Sequence, residues 1–121
     1  MYAIKNNVQL VGSVVEKPVI KGSVDGRKTA RFSIFIEDCY NNSKGQKITE
    51  TQSHMVVAQG KAANIAEKYL GPEMMVVISG RLVNRHFRDS KGISRVVTEV
   101  HVNELMILDM QVQEDEAYYM C

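Results

Sequence analysis

The side chains able to do covalent or acid–base chemistry in this 121-residue chain do not assemble, by spacing, into a reactive centre. His54, His86 and His101 have no ligand-like spacing and no carboxylate–cysteine cluster beside them, so no metal site is indicated. No nucleophile–base pair is apparent. The stretches VDGRK and SKGQK lack the strand–GxxxxGK(S/T)–helix pattern that cradles a nucleotide's phosphates. No cofactor, no metal and no catalysis are therefore expected. Cys39 and Cys121 lack CxxC spacing and are expected as free thiols in a reducing compartment.

Charge carries more. The net charge of +1 hides a segregation. Residues 1–95 hold all 15 Lys and Arg against 8 Asp and Glu, whereas residues 96–121 hold six acids and no Lys or Arg. A basic body with an acidic end suits an anion-binding domain with a separate tail. Tyr40 stands beside Asn41, and Phe87 stands near Arg85 and Arg88, which favours partial exposure of both rings. No apolar run approaches the ~18 residues of a membrane helix. Met1 to Asn7 shows no secretory pattern, and a soluble, cytoplasmic protein is expected.

The elements that must position these residues follow from periodicity. Asn7 to Val15 is a first strand with Gly12 inside it, as a bulge or tight bend of a small barrel would require. Lys17 to Lys28, with Pro18, Gly22 and Gly26, is expected as a connection. Thr29 to Ile36 sets Phe32, Ile34 and Ile36 against Arg31, Ser33 and Phe35, a half-buried strand. Glu37 to Lys47 is expected as a polar hairpin loop, and Thr49 to Gln59 as the return strand. Lys61 to Leu70 is helical, with Ala62, Ile65, Ala66 and Tyr69 as its apolar stripe and Gly71-Pro72 as its stop. Met74 to Val83 and Arg95 to Val102 complete the set, joined through a turn at Asp89 to Gly92. The order is all-β, five strands with one helix between the third and fourth. That is the layout of an OB-fold barrel, which binds oligonucleotides.

Specific words then match a family. NNVQLVGSV, KPVIK, Thr51 with His54 in TETQSH, GKAANIAEKYL, SGRLVNRHF, and DSKGISRVVTEVHV with Thr98-Glu99 occur in order over Asn6 to Asp109. In these the chain resembles the bacterial single-stranded DNA-binding proteins. The resemblance implies an OB-fold domain over 1–109, with 110–121 as a short acidic, disordered tail. It implies binding of single-stranded DNA without sequence readout, homotetramer assembly (a dimer being the alternative), and a role in replication, repair or recombination. It also implies that His54 is structural, at a subunit contact.

Such binding combines cations for phosphates with aromatic faces for bases. Of the family's four stacking stations, Tyr40 occupies the first and Phe87 the fourth. Ser53 and Gln59 stand at the second and third, where neither can stack comparably. Lys61, Arg85 and Arg95 match basic stations and Lys5 does so loosely. Arg31, Arg81 and Arg88 are basic on strands or strand ends nearby. The plain alternatives are a rim tyrosine, a packed phenylalanine and solvated surface charges. Most family members continue into a Gly/Pro/Gln-rich linker with an acidic, hydrophobic-ended tip that recruits replication and repair proteins. QEDEAYYMC is expected as a frayed end, or as a short substitute docking peptide. An SSB-like protein-interaction module, as in a primosome or a mobile-element accessory protein, is the competing expectation.

Overall fold

The computed structural model describes residues 5–23 and 25–108. The elements run β1 (Val8–Val14), β2 (Val19–Gly22), β3 (Lys28–Asn41), β4 (Lys47–Gln59), α1 (Lys61–Tyr69), β5 (Met75–Arg88) and β6 (Ser94–Ile107). The sheet order is β1-β5-β6-β4-β3-β2, and a further β1–β3 pairing curls it into a barrel. Five long strands form that barrel, so the all-β OB-fold expected from the sequence is the fold observed. The helix follows β4 and precedes β5, between the third and fourth barrel strands.

Closure depends on β1. Residues 8–13 pair with β5, while Ser13 and Val14 pair with Phe35 and Ile34 of β3. Gly12 sits at this handover. A Cβ there would stand 2.8 Å from the Phe35 carbonyl oxygen, so its role is close backbone approach. Of the bulge or tight bend expected at Gly12, the register shows no bulge there; a bulge lies on the β5–β6 pair, between Ser79 and Gly80.

The inward residues of each strand make one core of Val14, Ala30, Phe32, Ile34, Val56, Ala58, Val76, Ile78 and Val100. α1 closes one end of the barrel with Ala63 and Ala66, and Leu70 follows beneath it. Alanines let the helix axis lie close to the strands. The stripe is rotated from the one expected: Ala63, Ala66 and Leu70 are buried, and Tyr69 is exposed under the Lys68 ammonium. Lys28 on β3 pins the helix through Glu67 at 2.6 Å.

Two segments differ from the sequence expectations. Val19–Gly22 is a short strand on the edge of β3 rather than only a connection. The polar stretch from Glu37 to Lys47 is mostly strand: β3 and β4 stay paired out to Asn41 and Lys47, leaving a tight turn closed by Asn42 and Gly45. β5 and β6 likewise extend as a ribbon to Arg88 and Ser94. Gly45 and Gly92 take the positive φ that these turns need. Cys39 is also corrected. It is not a free thiol, and the expectations for Cys121 and the 110–121 tail lie outside the described residues.

Candidate nucleic-acid interface

Strand alternation sorts the candidate residues onto faces. Odd-numbered residues of β3, β4 and the upper part of β5 and β6 point away from the core, because their even neighbours Ala30, Phe32, Ile34, Val56, Ala58 and Val100 point into it. Paired residues share a face. The register therefore places Arg31, Arg81, Arg85, Phe87 and Arg95 on one outer face. Ser53 lies on it opposite Phe35, and Gln59 lies on it opposite Thr29. Tyr40 and Arg88 occupy the other face of their ribbons. Lys61 opens α1, and Lys5 precedes β1; both are exposed.

At the centre of the outer face stands Glu99, a carboxylate only 1% exposed. Its neighbours by register are Met55 on β4 and Val83 on β5. Arg31 Nη1 donates to Glu99 Oε2 at 2.5 Å, and Arg85 Nε donates to the same oxygen at 3.2 Å. His101 Nε2 lies 3.3 Å from Oε1. Burial alone would push the Glu99 carboxyl up. The bonds from His101, Arg31 and Arg85 together outweigh that and hold it below its ordinary value. Three partners on three strands make it a buried clamp, with buried Val57 in the adjacent row opposite His101.

The clamp sorts the cations. Arg31 and Arg85 are committed to Glu99. Arg95 pairs with Asp89 at 3.0 Å. Asp89 also accepts the Ile93 and Lys91 amides of the β5–β6 turn, and the Ile93 bond, then Arg95, holds its carboxyl below the ordinary range. Lys5, Lys61, Arg81 and Arg88 have no ion pair among the described residues.

The two aromatics differ in setting. Phe87 is 39% exposed, and the Arg85 guanidinium sits 5.0 Å from its ring centroid. One guanidinium thus bridges the buried Glu99 and the Phe87 ring, fixing both. Tyr40 is 48% exposed, and its hydroxyl donates to Glu50 Oε1 at 3.1 Å. That hydrogen bond and the Glu50 charge raise the phenol's pKa, and the bond tethers the exposed ring at its hydroxyl end. His54 lies across from Ile34 and contacts Gln52 at 3.2 Å.

Sequence reasoning passed over several outer-face residues. Phe35 is 40% exposed in mid-sheet, and Met55 is exposed one row away. Beside them a groove of about 390 Å³ runs between β2 and the face of β3, walled by Lys17, Val19, Lys21 and Arg31, with Glu16 as its acid. The signal for Phe35 was present, since it falls on the solvent side of the Phe32/Ile34/Ile36 alternation. Nothing in the sequence marked it as more than an outward residue.

A small curled barrel with a helix after its third long strand, two extended ribbons and a basic, aromatic outer face defines the OB-fold class of oligonucleotide-binding architecture. The single-strand binding protein family model matches residues 5–108, and the chain belongs to that family. The chain is 28% identical over 103 residues to a single-stranded DNA-binding protein of Neisseria meningitidis, covering 85% of this chain and 59% of that one. It is 30% identical over 104 residues to single-stranded DNA-binding protein 1 of Chlorobaculum tepidum, covering 85% and 64%. It thus spans about three fifths of the length of these relatives. Among solved structures, the Plasmodium falciparum SSB in complex with ssDNA superposes with a TM-score of 0.79 at 24% identity, covering 86% of this chain and 95% of that one. A deletion mutant of the Thermus aquaticus single-stranded DNA binding protein gives 0.77 at 19% identity, covering 88% and 52%. These two likenesses concern the fold.

Proposed function

We propose that the protein binds single-stranded DNA without sequence preference and protects it in replication, repair or recombination, as a homo-oligomer, with no catalytic step. One observation carries this reading: an OB-fold barrel of the single-strand binding family presents an exposed ring, Phe87, capped by a guanidinium on a face rich in cations. Stacking tolerates any base, because every base has a π-face. Tyr40 and Phe87 are the stacking groups of this reading. Lys5, Lys61, Arg81 and Arg88 supply mobile charge for phosphates. Arg31, Arg85 and Arg95 shape the surface through Glu99 and Asp89 and add to its potential.

A titration of labelled oligo-dT at several salt concentrations tests the proposal. The logarithm of affinity should fall linearly with the logarithm of salt, with a slope of roughly −0.7 per phosphate neutralised. No binding even at low salt refutes it. Within that experiment, Phe87→Ala should weaken binding by about tenfold, the loss of one stacked base, while light scattering shows the oligomer intact. If affinity holds and the oligomer dissociates instead, Phe87 is a subunit contact.

The competing reading, a protein-interaction module on the same barrel, is favoured by Ser53 and Gln59, both exposed and unable to stack as rings do. A pull-down separates the two. Recovery of a replication protein unaffected by nuclease, together with failure of the titration, supports the module.

A further inference from the structure

We propose that Phe35 is a base-stacking platform for single-stranded DNA and that the basic groove beside it holds the adjoining phosphates; this rests on the reading of the protein as a single-strand binder.

Phe35 lies in the middle of β3, paired on one side with Ser13 of β1 and on the other with Ser53 of β4. Both same-face neighbours are serines, too short to cover a phenyl ring. That is why Phe35 stays 40% exposed while Ile34, the next residue, is fully buried. A ring in the centre of a sheet can bury a large apolar area. Here the molecule leaves the ring uncovered, paired across the sheet with small hydroxyls on both sides, which is a geometry a planar base can use.

The surroundings select a nucleic-acid strand as the occupant. One row along β3, Ser33 pairs with exposed Met55, extending the apolar floor by about 7 Å. The groove begins there, with Lys17 and Lys21 on its walls. Neither lysine has an ion pair among the described residues. Arg31, on the same wall, is held by Glu99 and keeps the potential positive without needing to move. An apolar ring followed by two free ammonium groups matches a base followed by its phosphate. The arrangement also accounts for Ser53: an aromatic on β4 is dispensable where the adjacent strand, about 4.8 Å away, presents one to the same face.

The test uses the full chain. Phe35→Ala should weaken oligo-dT binding by about tenfold or more with the salt slope unchanged, and Phe35→Trp should restore it. The double variant Lys17→Ala/Lys21→Ala, with both sites exposed, should flatten the salt slope by roughly 1.4. A 5-iodouracil oligonucleotide photocrosslinked to the unaltered protein should mark the peptide containing Phe35, a readout that needs no variant to fold. Parental affinity in Phe35→Ala with crosslinks confined to Tyr40 and Phe87 overturns the proposal while leaving strand binding intact. Oligomer dissociation at unchanged affinity per protomer also overturns it, by showing that a second copy covers the ring. If the unaltered protein binds no oligo-dT at all, the underlying reading fails and the platform with it.

Discussion

Replacing Gly80 with alanine should lower the melting temperature by roughly 10 °C or more, from a loss of about 3 kcal/mol. A Cβ at Gly80 would lie 2.1 Å from the His101 carbonyl oxygen, 2.9 Å from its carbon and 3.2 Å from Val102 Cα. All three are backbone atoms. No side chain can swing aside, so β5 and β6 must part. They must part at the bulge, where the register steps from Ser79 opposite Glu104 to Gly80 opposite Val102. That step reverses which residues of β6 face the core: Val100 and Val102 before it, Leu105 and Ile107 after it. Opening the pair there unseats both sets and the adjacent Val8–Gly80 pairing with β1. Gly22→Ala is the control, since a Cβ there meets nothing within 4 Å; its melting temperature should stay near the parental one. Circular dichroism melts at one fixed protein concentration, which an oligomer requires, decide the matter. A Gly80→Ala protein that melts with the parent would mean that the strands do not approach as closely as the structure shows.

The parts of this molecule that were legible in the sequence are those where one face is buried and the other wet. Phe32, Ile34 and Ile36 alternate with polar neighbours and declare their strand; Gly71-Pro72 ends the helix for reasons of backbone geometry. The ribbons were illegible beyond Ile36 because both of their faces meet solvent, so Glu37 to Asn41 and Lys47 to Thr51 have no apolar period to display. β2 was missed because four residues beside Pro18 carry too little pattern. The site suffered more. A glutamate in an alternating strand reads as exposed. Its burial follows only from Arg31, Arg85 and His101 arriving from β3, β5 and the same strand. Without that contact, Arg31 and Arg85 look like Arg81 and Arg88, which have no ion pair among the described residues. Pairing across strands distant in sequence decides which charges are available, and no local spacing encodes it.

Glu99→Gln should therefore cost about 3 kcal/mol near neutral pH, because a buried carboxylate is removed from two arginines that stay charged. The pH dependence has a definite sign. The folded-state pKa of Glu99 lies below its ordinary 4.5, so the unfolded chain binds the proton more readily. The contribution is fully present above about 4.5 and is lost as pH falls through the lowered folded value. The stability gap between parent and Glu99→Gln should narrow as pH falls through that window. Asp25 and Asp89, whose carboxyls are also held low, act equally in both proteins and cancel in the difference. Binding supplies the second readout. With the carboxylate gone, Arg31 and Arg85 lose the acceptor that occupies them, and Arg85 no longer holds a fixed place over Phe87. At a temperature where the variant is folded, its salt slope for oligo-dT should steepen by up to roughly 1.4, two further phosphates' worth. Non-selective affinity at low salt should rise, and the contribution of Phe87, measured as the effect of Phe87→Ala in each background, should shrink. An unchanged slope with unchanged stability would show that Glu99 does not govern these arginines. The expected pattern would show that the buried carboxylate trades phosphate contacts for a fixed ring, converting two mobile cations into the frame of a stacking surface.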